Sequence, residues 1–318
     1  MYESLLKFCI GLVILLFSTQ KLVKLAEKIS RVFRISPLII GITVVALGTS
    51  LPELAISAVS AFRGDIGLAM GNIIGSNIVN VLMVLPVGIF IGKMRIGTTK
   101  TQRNAFILLG VTAIFFLTQF IGFSKPASGI FLIGLAILIS VIEYQLGVFG
   151  RSHEDLKQFK TSRNGKLTSG IIIFGLILTL GIIGGGFLVV DSVEAISVLT
   201  GISTTILGLT LTAVATSLPE LLTTIFSQED NQEKITVGNI IGSNIYNLLL
   251  IGGIIMLFPS TIVIPIKEWV WLAIATIGFV FILRYYSGKK PSKWIGAILI
   301  FLFFVYLLSQ GTFSFRLP

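Results

Sequence analysis

A glutamate stands in the middle of a long apolar segment twice in this chain, in nearly identical settings. Ala46 to Asn80 reads ALGTSLPELAISAVSAFRGDIGLAMGNIIGSNIVN, and Ala213 to Asn247 reads AVATSLPELLTTIFSQEDNQEKITVGNIIGSNIYN. Glu220 follows Glu53 by 167 positions, as Gly238 follows Gly71 and Asn247 follows Asn80, so nothing was gained or lost between the copies. Aligned at that offset, Ile35–Asn80 and Ile202–Asn247 agree at 22 of 46 positions, and upstream Glu27, Ile29 and Ser30 meet Glu194, Ile196 and Ser197. A period near half the chain in an apolar protein points to a duplicated transporter, not to short stacked repeats. An ionised group in hydrocarbon costs ~3 kcal/mol or more. Packing gives no reason to accept that cost twice, so Glu53 and Glu220 read as functional.

Charged residues are 12% of the chain and mean hydropathy is +0.98, where soluble domains carry about 25% charge. Ten apolar stretches follow, roughly 4–20, 36–62, 68–92, 103–121, 127–146, 168–190, 203–227, 235–258, 266–284 and 291–309, most near the ~20 residues that a bilayer needs. The expected fold is an all-α membrane protein of ten transmembrane helices in two inverted five-helix repeats, 1–147 and 168–318, joined by a short cytoplasmic linker, 148–167. The net charge of +10 does not imply nucleic acid, because the basic residues are distributed by side. With both termini outside, segments facing the cytoplasm hold 19 of the 24 Lys and Arg, leaving Lys7, Arg63, Lys125, Lys267 and Arg316 outside, as the positive-inside rule requires. The location implied is a cell membrane, crossed many times.

The basic residue Lys7 before the first apolar run suggests a signal peptide, but no small-residue cleavage site follows it and the run has a counterpart at 168–190, so a permanent helix is expected. The single cysteine, Cys9, excludes an intramolecular disulfide and reads as a small packing residue. His153 lies in the polar linker RSHEDLKQFKTSRNGK, which has no zinc or EF-hand spacing. Glu143, Asp191 and Glu194 fall near span ends and are expected to be solvated. Asp65 and the run Glu229, Asp230, Glu233 fall in loops, with a passive role expected.

Five spans per half means that the second motif enters the bilayer from the opposite side. Inverted repeats bring equivalent residues together near the midplane, where transporters hold substrate. Ala46, Thr49, Ser50 and Glu53 share one helical face at i, i+3, i+4 and i+7, as do Ala213, Thr216, Ser217 and Glu220. Ser76 with Asn80, and Ser243 with Asn247, are i, i+4 pairs on the next span. Every donor in the set is oxygen, which suits hard cations; Ca²⁺ takes about six to eight oxygens at roughly 2.3–2.6 Å. Pro52 and Pro219 remove an N–H in mid-span, freeing carbonyls near Gly48 and Ala215 that can become ligands. Gly71, Gly75, Gly238 and Gly242 read as small residues that let helices approach.

GTSLPE followed by GNIIGSN, repeated once in inverted orientation, resembles the α-repeats of the sodium/calcium exchangers of the cation/calcium antiporter superfamily, in the prokaryotic form with a short central loop. The resemblance covers essentially the whole chain. It implies Na⁺-driven exchange of Ca²⁺ by alternating access, with the first helix of each half, 4–20 and 168–190, sliding across the motif core as a gate. It implies that Glu53 and Glu220 chelate Ca²⁺ and help to bind Na⁺. By the same resemblance Thr49, Ser50, Ser76, Thr216, Ser217 and Ser243 supply hydroxyls, Ala46 and Ala213 supply carbonyls, and Asn80 and Asn247 occupy the amide-or-acid positions of the central site. Two departures stand out: Ala215 replaces the glycine of Gly-Thr-Ser, and Asn247 stands where several microbial and potassium-dependent relatives carry Asp. The second weakens any claim of K⁺ cotransport.

Two ionised glutamates are neutralised by one Ca²⁺ or two Na⁺, and both loads together repel strongly in a low dielectric. Competition for the shared carboxylates then gives exchange, with Ca²⁺ and Na⁺ as substrates, no cofactor and no obligate protein partner. The same charge count allows an H⁺/Ca²⁺ antiporter, and a passive cation channel also uses acids and carbonyls. Hydroxyls in both motifs favour Na⁺. Enzyme readings fail: the one histidine is in a loop, and no GxxxxGK[ST] phosphate-binding loop is present.

Overall fold

The computed structural model describes residues 1–32, 46–91, 96, 99–119, 124–149, 169–229, 233–259 and 264–311. Beyond Phe149 the expected linker, with His153, lies outside them, as does Asp230. The chain opens with α1 (Tyr2–Val32), followed after residue 45 by α2 (Ala46–Thr49) and α3 (Leu51–Phe62). Next comes α4, in which Ile66–Val79 and Leu85–Ile91 flank a π-helical turn at Asn80–Val84, and then α5 (Thr99–Leu117) and α6 (Lys125–Phe149). The second half repeats that order. It comprises α7 (Ser169–Thr200), α8 (Thr204–Leu207, a π-helical turn Gly208–Thr212, and Ala213–Thr216), α9 (Leu218–Glu229), α10 (Glu233–Tyr246, a π-helical turn Asn247–Ile251, and Gly252–Ile255), α11 (Ile266–Tyr285) and α12 (Lys293–Gly311).

Among the described residues, eight stretches are long and apolar enough to cross a bilayer: Tyr2–Leu25, Ile66–Ile91, Lys125–Glu143, Gly170–Thr200, Thr204–Phe226, Thr236–Ile255, Ile266–Tyr285 and Lys293–Gly311. Two of the ten expected spans, 36–62 and 103–121, correspond among the described residues to the shorter apolar helices Leu51–Phe62 and Thr101–Leu117. Residues 36–45 of the first lie outside the described residues, and its helix breaks at Ser50 ahead of Pro52, as Thr204–Phe226 breaks at Ser217 ahead of Pro219.

All 14 residues of Ile66–Val79 are buried, as suits a helix with no polar stripe for solvent. Glycine lets it reach the other half. A Cβ on Gly71 would stand 2.5 Å from the Thr205 carbonyl oxygen, one on Gly75 2.5 Å from that of Leu209, and one on Gly208 2.7 Å from that of Leu68. The halves therefore meet backbone to backbone, α4 against α8. Tyr306 on α12 donates its hydroxyl to the Leu209 carbonyl at 2.8 Å, satisfying an acceptor inside the π-helical turn. The first helices of the two halves, α1 and α7, cross where Gly11 faces Gly185.

Two expectations need correction. Cys9 is exposed on α1 rather than packed, beside Leu6 and Ile10, which are also exposed. Glu143 is held rather than solvated, accepting from Arg103 Nη2 at 2.7 and 2.9 Å and tying α6 to α5. Asp191 and Glu194 are solvated as expected, and both pair with Arg63, Glu194 at 3.4 Å. Glu268, which shows no sequence pattern, is fully buried in the first turn of α11. Lys267 Nζ lies 3.4 Å away and Gln310 donates to it at 3.1 Å, binding α11 to α12.

Candidate functional site

Each motif breaks its helix at the serine. Ser50 has φ −86°, ψ 4° and Ser217 φ −79°, ψ 4°, outside helical geometry, and each is followed by a new helix with proline at its second position. Glu53 and Glu220 consequently sit in the first turns of α3 and α9, where the positive end of the helix dipole favours a carboxylate. Leu54 and Leu221 resume the backbone ladder by donating to the Ser50 and Ser217 carbonyls at 3.0 and 3.1 Å.

Both glutamates are 0% exposed, and they are near enough to interact electrostatically. The Thr216 hydroxyl lies beside Glu53, and the hydroxyls of Ser243 and Thr49 lie beside Glu220. None of the four carboxylate oxygens has a protein donor in hydrogen-bonding geometry. The Ser50 and Ser217 hydroxyls and the side-chain oxygens of Asn80 and Asn247 are likewise buried without a protein partner. The two amides reach that state in the same manner. Asn80 Nδ2 donates to Asn244 Oδ1 at 3.0 Å, and Asn247 Nδ2 donates to Ser76 Oγ at 3.1 Å. Their nitrogens are thus spent on protein acceptors, and the carbonyl oxygens are what remain. Buried oxygens left in pairs, at equivalent positions of two halves, are a donor set for a hard cation.

The structure brings residues of the two halves into direct contact. Thr49 and Ser243 share a hydrogen bond at 3.1 Å, and Ser76 accepts from Asn247 while donating to its own turn at Ile73. The Ala213 carbonyl accepts the Ser217 amide at 3.1 Å and lies 3.4 Å from the Thr216 hydroxyl, while Ala46 opens α2. Both π-helical turns next to the site begin at its amides, Asn80 and Asn247, a distortion frequent at functional positions. Among the described residues no cluster of three or more acidic, His or Cys side chains occurs, so the site's negative charge comes from two carboxylates.

Four buried amides were missed in the sequence: Asn72, Asn77, Asn239 and Asn244. Thr49 donates to Asn239 Oδ1 at 3.1 Å, and Thr216 donates to Asn72 Oδ1 at 3.4 Å. Asn244 Nδ2 donates to the Asn77 carbonyl at 3.2 Å. The available signal was spacing: Asn72, Ser76 and Asn80 lie at i, i+4 and i+8 on one face, and the same holds for Asn239, Ser243 and Asn247.

The family model described as sodium/calcium exchanger protein matches residues 3–145 and again 170–312, both bounds displaced by the motif offset. The chain belongs to this family. The exchanger is 30% identical over 308 residues to inner membrane protein YrbG of Escherichia coli, covering 94% of each chain. It is 30% identical over 339 residues to sodium/calcium exchanger MaX1 of Methanosarcina acetivorans, covering 94% of this chain and 96% of that one. A solved structure of the sodium-calcium exchanger NCX_Mj, soaked with Na⁺ and Sr²⁺, superposes with a TM-score of 0.63 at 27% identity, covering 96% and 97%. The exchanger is thus a cation antiporter of the membrane, a transporter and not an enzyme.

Proposed function

We propose that this exchanger moves Na⁺ and Ca²⁺ in opposite directions by alternating access, binding them between Glu53 and Glu220 at the midplane of ten spans arranged as two inverted repeats. The observation that carries the reading is the pair of buried carboxylates whose oxygens have no protein donor. Two negative charges are matched by one Ca²⁺ or two Na⁺, and the low local dielectric forbids both loads at once. Thr49, Ser50, Thr216, Ser217, Ser76 and Ser243 supply hydroxyl oxygens, Asn80 and Asn247 amide oxygens, and Ala46 and Ala213 carbonyls. Vesicles of purified protein loaded with Na⁺ and diluted into Na⁺-free medium are expected to take up Ca²⁺, whereas K⁺-loaded and acid-loaded vesicles are not. Uptake driven by acid loading would replace Na⁺ by H⁺ as the coupled ion; uptake without any gradient would make the protein a channel.

Alternating access is supported by an asymmetry between the halves. On one side Gly186 of α7 packs on Ala55 of α3, where a Cβ would stand 3.4 Å from Ala55. Arg63 at the end of α3 pairs with Asp191 and Glu194 of α7 and lies over the Phe187 ring. At the equivalent place in the other half, Thr19 of α1 and Leu222 of α9 replace Gly186 and Ala55. There α1 stands off from α9, leaving a cavity of about 480 Å³ that reaches from Lys24 and Phe226 to Thr49 and Pro219. With the N-terminus outside, that cavity faces the cytoplasm and the Arg63 side is closed. In a Cys9→Ser background, Thr223→Cys, on the cavity wall, is expected to react with a membrane-impermeant thiol reagent from the cytoplasmic side only. Ile56→Cys, its buried equivalent, is expected to react at least about tenfold more slowly. Equal labelling of the two positions would count against the assignment.

A further inference from the structure

We infer that Asn72 and Asn239 are positioning residues that turn the protons of Thr216 and Thr49 away from the bound cation, and that through those hydroxyls they set the balance between Na⁺ and Ca²⁺. The inference deepens the proposed function and rests on it. A threonine hydroxyl has one proton and two lone pairs. It coordinates a cation only with a lone pair, so its proton must find another acceptor, and a buried donor left with none is costly.

Thr49 lies beside the Glu220 carboxylate and Thr216 beside that of Glu53. A cation lodged between hydroxyl and carboxylate takes a lone pair of the hydroxyl, so the proton has to point away from both. The acceptors waiting for it belong to the opposite half: Asn239 Oδ1, 3.1 Å from Thr49 Oγ1, and Asn72 Oδ1, 3.4 Å from Thr216 Oγ1. Asn72 is itself oriented, because its Nδ2 donates to Ser57 Oγ at 3.1 Å and to the Glu53 carbonyl at 3.4 Å. That leaves Oδ1 as the end presented to Thr216. The Ala213 carbonyl, also 3.4 Å from Thr216 Oγ1, is a second acceptor for that proton, so both amides need testing.

The two cations depend on these hydroxyls unequally. One Ca²⁺ takes both carboxylates, whereas two Na⁺ share them and repel each other, so the dipoles of neutral ligands are a larger share of what holds each Na⁺. Losing the proton acceptor therefore weakens Na⁺ more than Ca²⁺.

Equilibrium binding of radioactive Ca²⁺ to the purified full-length protein, with Na⁺ as competitor, reads both ions without transport. Asn239→Leu and Asn72→Leu keep the volume and remove the acceptor. Each is expected to raise the Na⁺ concentration that displaces half of the Ca²⁺ by about tenfold, while half-saturation by Ca²⁺ changes by less than about threefold. Thr49→Val alone and combined with Asn239→Leu complete a cycle, and the double variant is expected to match Thr49→Val for Na⁺, because the amide acts through that hydroxyl. Equal weakening of both ions, or additive effects in the double variant, would overturn the inference; alanine at 72 and 239 repeats the comparison if the leucine variants do not purify as folded protein. Wild-type protein whose Ca²⁺ is not displaced by Na⁺ would overturn the proposed function instead.

Discussion

Replacing Glu53 or Glu220 by glutamine is expected to abolish Na⁺-dependent Ca²⁺ uptake, a loss of at least about a hundredfold, and at the same time to raise the melting temperature of the ion-free protein. The two effects have one cause. Each carboxylate is buried with no donor on either oxygen. Without a cation, that arrangement costs the fold the desolvation of two neighbouring like charges. Glutamine keeps the shape, removes one charge and relieves the repulsion. It also removes half of the charge that balances Ca²⁺ and presents N–H donors to it, and two lost decades of binding correspond to about 2.7 kcal/mol. Ca²⁺ at about a hundred times its dissociation constant should stabilise the wild type by about 2.7 kcal/mol and the variants hardly at all. Thermal unfolding with and without Ca²⁺, beside vesicle uptake, reads both. Normal uptake by either variant would remove that residue from the site.

Gly75→Leu is expected to be the most damaging single change outside the charged site. Its Cβ would stand 2.5 Å from the Leu209 carbonyl oxygen, 2.7 Å from Ala213 Cβ and 2.8 Å from Leu209 Cα. Two of these are backbone atoms, which cannot swing aside as a flexible side chain can. The halves must separate, which costs about 3 kcal/mol at the upper end of overpacking, and the shift is passed directly to α8, which carries Thr216. Gly134→Leu provides the control, since nothing described lies within 4 Å of a Cβ there. Monodisperse protein recovered after a heat ramp should fall sharply for Gly75→Leu and change little for Gly134→Leu. Similar retention of both would show that the contact between α4 and α8 is soft.

The duplicated motif was legible because it is local. A carboxylate after a proline in an apolar run, seven residues beyond an alanine on the same face, needs only the periodicity of one helix to be seen. Loss of a helical partner near Gly48 and Ala215 follows from proline chemistry and the apolar stretches from the demands of a bilayer, whereas the structure places the break itself at Ser50 and Ser217. The amides of GNIIGSN were half-read. Ser76 and Asn80 were singled out as the i, i+4 pair of oxygen donors. Asn72 lies one turn further along that face, but what makes it important is Thr216, 144 positions away. Glu268 had no signal at all, since its partner Gln310 lies on the next helix, 42 positions on.

By itself the sequence determined the two equivalent halves, the paired acids and the prolines that interrupt the motif helices, since each follows from residue type and spacing along one segment. Only the tertiary structure decided which end of each amide faces inward and which hydroxyl meets which amide across the halves. It also decided that α7 closes on α3 while α1 stands off from α9. Those are properties of contacts between segments, and two halves so alike in their motifs carry no statement of which of them packs closed. Side chains of different size at matched positions, Gly186 with Ala55 against Thr19 with Leu222, break the symmetry only once the helices are packed.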